Sequence, residues 1–530
     1  VNFQSAEVVL LGLGFFVVVL ATVARKLQVA YPIVMVIGGL ILSLIPGLPR
    51  VRLQPDLVFL VILPPLLFSA AYQISWREFK RNLVSIVLLA FGLVGFTVYG
   101  VAGISRFLIP GFDWHTGLVL GAVIAATDAI AATATAKRLG LPRGITELLE
   151  AESLVNDGSG LVALRFTLAV ILTGVTPSVA VGVGTLTYLV CMGVLVGLLT
   201  AVCVNWVQRR LLDPSVEITI SLITPFVAYL TAEAAQCSGV LATLACGMYL
   251  ARSKDVFSLR ARIEGSAVWN TLDFILNGLV FLLLGLQLPL ILAEIKGFST
   301  GRLVAYGALF SAFVIALRMA YVFPGAALSI WFRRRILRQD PPPYSRRSTF
   351  LVGWAGMRGV LALAAAFSLP ETLNNGQPFP QRSMIIFLSF CVIFSTLVLQ
   401  GLSMPVIIRQ LGLNKGTTQT RDLEVARRIM IEKALETLAK VRQTWGGRDH
   451  AVLNLLEQGY EGRLLALEPD SKEQSPLAQE EMRLMRQLGQ RLRNAERAAA
   501  YALRDTDKID DEALRTLQHE LDLRDVTEEV

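Results

Sequence analysis

The sequence predicts an all-α polytopic membrane protein followed by a helical tail, and three observations carry that prediction. Hydrophobic residues make up 54% of the 530-residue chain and charged ones 17%, a balance outside the range of ordinary soluble domains. The charges are unevenly spread: residues 1 to about 410 are dominated by apolar runs, whereas residues after about 415 are rich in Glu, Arg, Lys and Gln. Finally, Lys and Arg collect in alternate loops between the runs, as the positive-inside rule requires of a spanning protein.

A hydrocarbon core about 30 Å thick takes about 20 apolar residues as a helix, and by that measure there are about thirteen candidate spans. They fall near 6–25, 31–47, 55–74, 82–108, 114–138, 143–172, 177–209, 215–236, 239–252, 261–288, 301–334, 347–369 and 381–410. Tyr31-Pro32 and Pro46-Gly47 punctuate the first turns. The chain opens on Val1, as a processed or trimmed chain would, and its first apolar run reads as a span rather than a signal peptide.

One set of loops holds Arg25, Lys26, Arg77, Lys80, Arg81, Lys137, Arg138, Arg143, Arg209, Arg210, Arg252, Lys254, Arg260, Arg262 and the run from Arg333 to Arg347; the other holds only Arg50, Arg52, Lys296, Arg302 and Arg382. This bias places the N-terminus outside and the tail in the cytoplasm. It also accounts for the net charge of +8 without a nucleic acid partner. An odd count divides as six, one and six, which predicts two six-helix inverted repeats. The domains expected are residues 1–412, transmembrane, and 413–530, a cytoplasmic helical domain. The five cysteines lie in or beside apolar segments and read as small buried hydrophobes, and the three histidines are far apart.

Charge at bilayer depth is costly and marks ion or proton pathways. The sixth span contains Glu150-Ala151-Glu152-Ser153-Leu154-Val155-Asn156-Asp157-Gly158-Ser159-Gly160. Glu152 and Asn156, four apart, share a helix face, and Asp157 lies about 100° round from Asn156. With Glu147, these acids form the cytoplasmic half of the span, a funnel shape that attracts cations. An amphipathic helix end accounts for Glu147 and Glu150 but not for the deeper Asp157.

The fifth span sets Thr127 and Asp128 among small residues, which permit close helix approach or a break; Asp128 would then cap a helix end. The eleventh carries Arg318 midway, and a buried Arg stays charged and must be paired, with Glu152 the natural partner. In the twelfth, Gly353, Gly356, Gly359 and Arg358 argue against a plain helix. An interrupted helix exposes carbonyls and half-helix dipoles; Arg358 would offset negative helix ends and Asp128 positive ones. The alternative is a glycine packing face with Arg358 snorkelling to the cytoplasm. Asn270, Asp273 and Glu233 are secondary candidates.

Together with Leu63-Pro64-Pro65-Leu66-Leu67-Phe68 and Gly356-Met357-Arg358-Gly359, these residues resemble monovalent cation/proton antiporters of the Na+/H+ exchanger family, close to its bacterial members. The matching pieces keep the family's order across nearly the whole membrane domain. The resemblance implies a homodimer in lipid. Spans one to three and eight to ten (about 1–75 and 215–288) would form its scaffold. Spans four to six and eleven to thirteen (about 82–172 and 301–410) would form a moving core, in which the fifth and twelfth cross as broken helices. It implies that Asp157 binds the ion and the proton, helped by Thr127 and Ser153, that Asn156 and Asp128 support the site, and that Arg318 bridges Glu152. Many relatives have proline after Thr-Asp, where this chain has Ala129; its Asn-Asp pair resembles electroneutral members.

The expected activity is exchange of Na+, with Li+ or K+ as alternatives, for H+. One site would hold either a proton or a dehydrated cation among oxygens, and only the loaded core would change face. No cofactor is expected beyond the transported ions. A cation channel would carry a pore loop or an arginine ladder, and a membrane-embedded enzyme a nucleophile with a base; neither pattern is visible in the sequence. The tail reads as helices near 421–443, 448–467, 476–504 and 510–522. Met485, Leu488, Leu492, Ala495, Ala499 and Ala502 form a short coiled-coil seam. A dimerisation aid is the reading preferred to a regulator of pH response.

Overall fold

The computed structural model of the chain describes residues 3–46, 53–128, 130–139, 141–174, 178–211, 213–253, 258–295, 298–339, 345–373, 376–413, 417–444, 451–465 and 494–503. Two compact units divide it, Val1–Gly416 and Thr417–Val530.

Apolar runs without internal turn residues make the first unit helical. In order these are α1 (Phe3–Leu27), α2 (Tyr31–Ser43), α3 (Leu57–Gln73), α4 (Trp76–Leu108), α5 (Trp114–Ala125), α6 (Ile130–Arg138), α7 (Arg143–Thr173), α8 (Val179–Gln208) and α9 (Pro214–Ala234). There follow α10 (Gly239–Arg252), α11 (Leu259–Leu286), α12 (Leu288–Glu294), α13 (Thr300–Phe332), α14 (Arg346–Trp354), α15 (Val360–Phe367) and α16 (Arg382–Gln410). The one β feature among the described residues is an isolated bridge between Thr372 and Pro378. Among the described residues, 7 helical stretches can cross a membrane by length and composition: Trp76–Leu108, Gly144–Thr173, Ala180–Gln208, Pro214–Ala234, Arg260–Glu294, Thr300–Leu337 and Arg382–Gln410. Tyr31–Ser43, Leu57–Gln73, Trp114–Ala125 and Gly239–Arg252 are apolar but shorter.

Side-chain caps set many of the starts. Asp213 accepts from Ser215 N at 2.8 Å ahead of α9, Ser238 from Leu241 N at 3.3 Å ahead of α10, and Ser258 from Ala261 N at 3.2 Å ahead of α11. These satisfy amide groups that a helix N-terminus leaves orphaned. The same device moves one boundary. Residues 76–81 read as a basic loop, yet Ser75 accepts from Glu78 N and starts α4 at Trp76, the spacing of a capping box. The basic residues there lie on the first turns of a helix, which continues through a π segment at Leu88–Leu93.

Burial sorts the helices into inner and outer ones. Val119 to Ala125 in α5, Val360 to Ala366 in α15 and Met384 to Phe390 in α16 are buried all round, the mark of helices enclosed by protein. In contrast α8 exposes Val181, Val183, Tyr188, Leu199, Val202 and Trp206, an apolar outer surface suited to lipid. Around these, α4 packs along α5, α2 along α11, and α10 against both α8 and α3. At the α2–α11 crossing a Cβ on Gly39 would strike Leu282 O, and one on Gly285 would strike Val36 O, so this approach is open to glycine alone.

The second unit contains α17 (Thr417–Thr444), α18 (Ala451–Leu465) and a helix over 494–503. Arg442 on α17 donates to Asn454 Oδ1 and Glu457 Oε2 on α18, both at 2.6 Å. The seam positions Met485, Leu488 and Leu492 and the helix expected at 510–522 lie outside the described residues. Ala495, Ala499 and Ala502 are exposed within the chain, while Ala500 is buried.

Candidate functional site

Both interrupted segments foreseen in the apolar runs lie at the centre of the first unit. The chain leaves α5 at Ala125 and re-enters a helix, α6, at Ile130; Ala129 itself lies outside the described residues. It leaves α14 at Trp354 and enters α15 at Val360. The two breaks meet. Asp128 N donates to Met357 O at 2.8 Å, and the Arg358 guanidinium donates to Ala125 O at 2.6 Å and Ala126 O at 3.2 Å. Arg358 thus sits on the carbonyl end of α5, and Asp128 Oδ1 accepts from Ile130 N at 2.8 Å at the amide end of α6. Each charge faces the helix end of opposite sign. Arg358, 1% exposed, is further fixed through its backbone N, which donates to Thr396 Oγ1 on α16 at 3.0 Å. A Cβ on Gly359 would strike the Asp128 carboxylate, and one on Gly356 the Arg318 guanidinium.

Above this crossing lies α7. Arg318 from α13 makes two parallel bonds to Glu152, Nη1 to Oε1 and Nη2 to Oε2, both at 2.8 Å, with both side chains 2% exposed. Its remaining donors go to Gly353 O and Val352 O, each at 3.1 Å. The fork therefore ties α7, α13 and the end of α14 together. Next to Glu152 on α7, Ser153 Oγ donates to Thr127 O at 2.6 Å, and one turn along Asn156 Nδ2 donates to Thr127 Oγ1 at 3.0 Å. Thr127 Oγ1 in turn lies 3.5 Å from Glu152 Oε1. Asn156 Oδ1 is buried without a partner among the described residues.

Asp157 differs from its neighbours. No hydrogen bond or ion pair among the described residues holds its carboxylate, which lines a cavity of about 350 Å³. The cavity wall also holds Thr127, Asp128, Glu150 and Ser153, together with Tyr31, Gln73, Asn270, Asp273 and Asn277 from other helices. Four of the lining residues are acids, Asp128, Glu150, Asp157 and Asp273, and none is Lys, Arg or His. Such a chamber, walled with oxygens and negative charge in a low-dielectric surrounding, concentrates cations and offers the hard ligands that alkali ions take.

The structure thus gathers Thr127, Asp128, Glu152, Ser153, Asn156, Asp157, Arg318 and Arg358 into one centre. Glu233 lies apart from it, bonded to Arg165 at 2.6 Å and 2.7 Å. Sequence reasoning gave Asp273 and Asn270 little weight and passed over Tyr31, Ser69, Gln73, Asn277 and Thr396. A signal for most was present: Asn270, Asp273 and Asn277 recur at three and four residues, as Ser69 and Gln73 do at four, each a polar stripe on one helix face. Tyr31 and Thr396 carry no such pattern.

Crossed half-helices around a buried acidic cavity, inside an apolar exterior, define an integral membrane ion carrier. The family described as "Sodium/hydrogen exchanger, transmembrane" matches residues 13–410. An uncharacterized Na(+)/H(+) exchanger of Mycobacterium tuberculosis is 34% identical over 526 residues, covering 98% of this chain and 95% of that one. A sodium, potassium, lithium and rubidium/H(+) antiporter of Bacillus pumilus is 32% identical over 418 residues, 77% of this chain and 62% of the other. In fold the chain is like the sodium proton antiporter MjNhaP1 of Methanocaldococcus jannaschii, with TM-score 0.57 and 18% identity over 78% of this chain and 99% of that one. The chain belongs to the sodium/hydrogen exchanger family and is a cation/proton antiporter.

Proposed function

We propose that this protein exchanges Na+ for H+ electroneutrally by alternating access, with Asp157 as the single group for which the two ions compete. The observation that carries this reading is that, among the described residues, Asp157 is the one acid of the buried centre whose carboxylate lines the cavity without a protein partner. Glu152 keeps its charge on Arg318, Asp128 caps α6, and Asn156 and Ser153 are bonded to Thr127. A cation at Asp157 would take further oxygens from Thr127 and Ser153; a proton on Asp157 removes the charge that holds it. Only a core carrying one or the other is neutral at that carboxylate, and moving the empty, charged core through an apolar surrounding is opposed by its desolvation. That restriction couples the two flows.

The same reading gives thirteen spans in six, one and six order. The N-terminus is outside and the tail in the cytoplasm, and the protein is a homodimer in a bacterial inner membrane built on a scaffold of 1–75 and 215–288. The breadth of ions in the name of the Bacillus pumilus relative supports K+ and Li+ as further substrates. In vesicles loaded with a pH dye, Asp157→Ala should abolish cation-driven proton flux for Na+, Li+ and K+ alike while the protein still purifies folded. Retained flux would sink the assignment, and a valinomycin clamp that changes the wild-type rate would remove electroneutrality.

A further inference from the structure

Asp273 lies near the middle of α11, a helix that packs along α2 and α3, and lines the same cavity as Asp157 on α7. One of its oxygens, Oδ2, accepts from the Ser69 hydroxyl on α3; the other, Oδ1, is buried without a partner among the described residues. Among the described residues no basic one lines the cavity, and Asp273 appears in no ion pair. A carboxylate kept at this depth for stability alone would be paired or would cap a helix end, and Asp273 does neither. Around it the same helix face presents amides, Asn270 one turn before and Asn277 one turn after, and Asn277 Nδ2 donates to Asp273 O at 2.9 Å. Gln73 donates to Ser69 Oγ at 3.3 Å and lines the cavity as well. A carboxylate oxygen with neighbouring amide oxygens is a donor set for a partly hydrated alkali cation.

We propose that Asp273 is a second cation-holding carboxylate in the cavity that Asp157 lines, which takes a monovalent cation arriving there and passes it to Asp157. The proposal rests on the exchange reading above. It assigns the two acids different duties. Asp157 binds cation or proton and travels with its load; Asp273 stays with the scaffold helices and raises the cation's occupancy of the cavity, so that it governs affinity and not the rate of the loaded step. The amide-rich wall also makes it the place where ion size would be sensed before Asp157 is reached.

The test is initial-rate exchange in proteoliposomes across a range of Na+ and K+ concentrations, for wild type, Asp273→Asn and Asp273→Glu. Asp273→Asn should raise the apparent KM for cation about tenfold with the maximal rate kept, since the fixed charge focuses cations within the cavity. Asp273→Glu, which restores the charge, should recover most of the wild-type KM. An unchanged KM in Asp273→Asn overturns the proposal, and so does a fall in maximal rate at unchanged KM, the signature of a structural role. Should Asp273→Asn fail to assemble, Ser69→Ala is measured in its place: it removes the bond that holds the carboxylate in position and should raise KM about threefold, and no change overturns the proposal. If wild-type vesicles exchange no cation, the exchange reading fails and this one with it. Wild-type exchange with an unaltered Asp273→Asn removes the second site alone.

Discussion

The buried fork between Arg318 and Glu152 is the strongest local constraint in the molecule. Two charges at 2% exposure are held by two bonds of 2.8 Å, and the guanidinium's other donors are matched to carbonyls. Breaking such a pair leaves a charge without compensation and costs about 3–5 kcal/mol. Glu152→Gln is therefore expected to lower the thermal midpoint in detergent sharply. The double variant Glu152→Gln, Arg318→Gln should be more stable than the Glu152 variant alone, because no charge is stranded. Asp157→Asn, which breaks no contact, should leave the midpoint near wild type. This pair was legible in the sequence because a charge in an apolar run demands a partner and few were on offer. Asp273 was harder to weigh, since its placement against the same cavity as Asp157 depends on how α11 and α7 come together, which no local pattern reveals.

At the scale of elements, the two breaks are held by each other. The glycines and Arg358 in residues 353–359 announced one of them. The other carries no proline or glycine between Ala125 and Ile130; what opens it is tertiary, the bond from Asp128 N to Met357 O and the Arg358 guanidinium on Ala125 O and Ala126 O. Removing that guanidinium exposes buried carbonyls at about 1–3 kcal/mol for each unsatisfied group and uncovers the negative end of α5. Arg358→Ala is expected to destabilise the fold and to lose exchange, read by thermal melting and proton flux, with Arg358→Lys recovering part of both. Gly356→Ala should behave like a broken Glu152–Arg318 pair, because its Cβ occupies the guanidinium's place.

For the whole molecule, helical membrane character followed from composition, since apolar runs fill residues 1 to about 410. The proposed dimer and the tail's role are not legible there, because both depend on surfaces that would pair with something outside one chain. Ending the chain at residue 413 is expected to leave the pH profile of exchange unchanged while lowering the dimer fraction measured by light scattering in detergent. An altered profile would make the tail a regulator.

The central claim is that one carboxylate, Asp157, binds either a cation or a proton. It is tested most directly by adding Na+ to purified protein in weakly buffered detergent solution and counting protons released. Wild type should release close to one proton per chain at a pH where the site is protonated, and Asp157→Asn none. Undiminished release from that variant would contradict it.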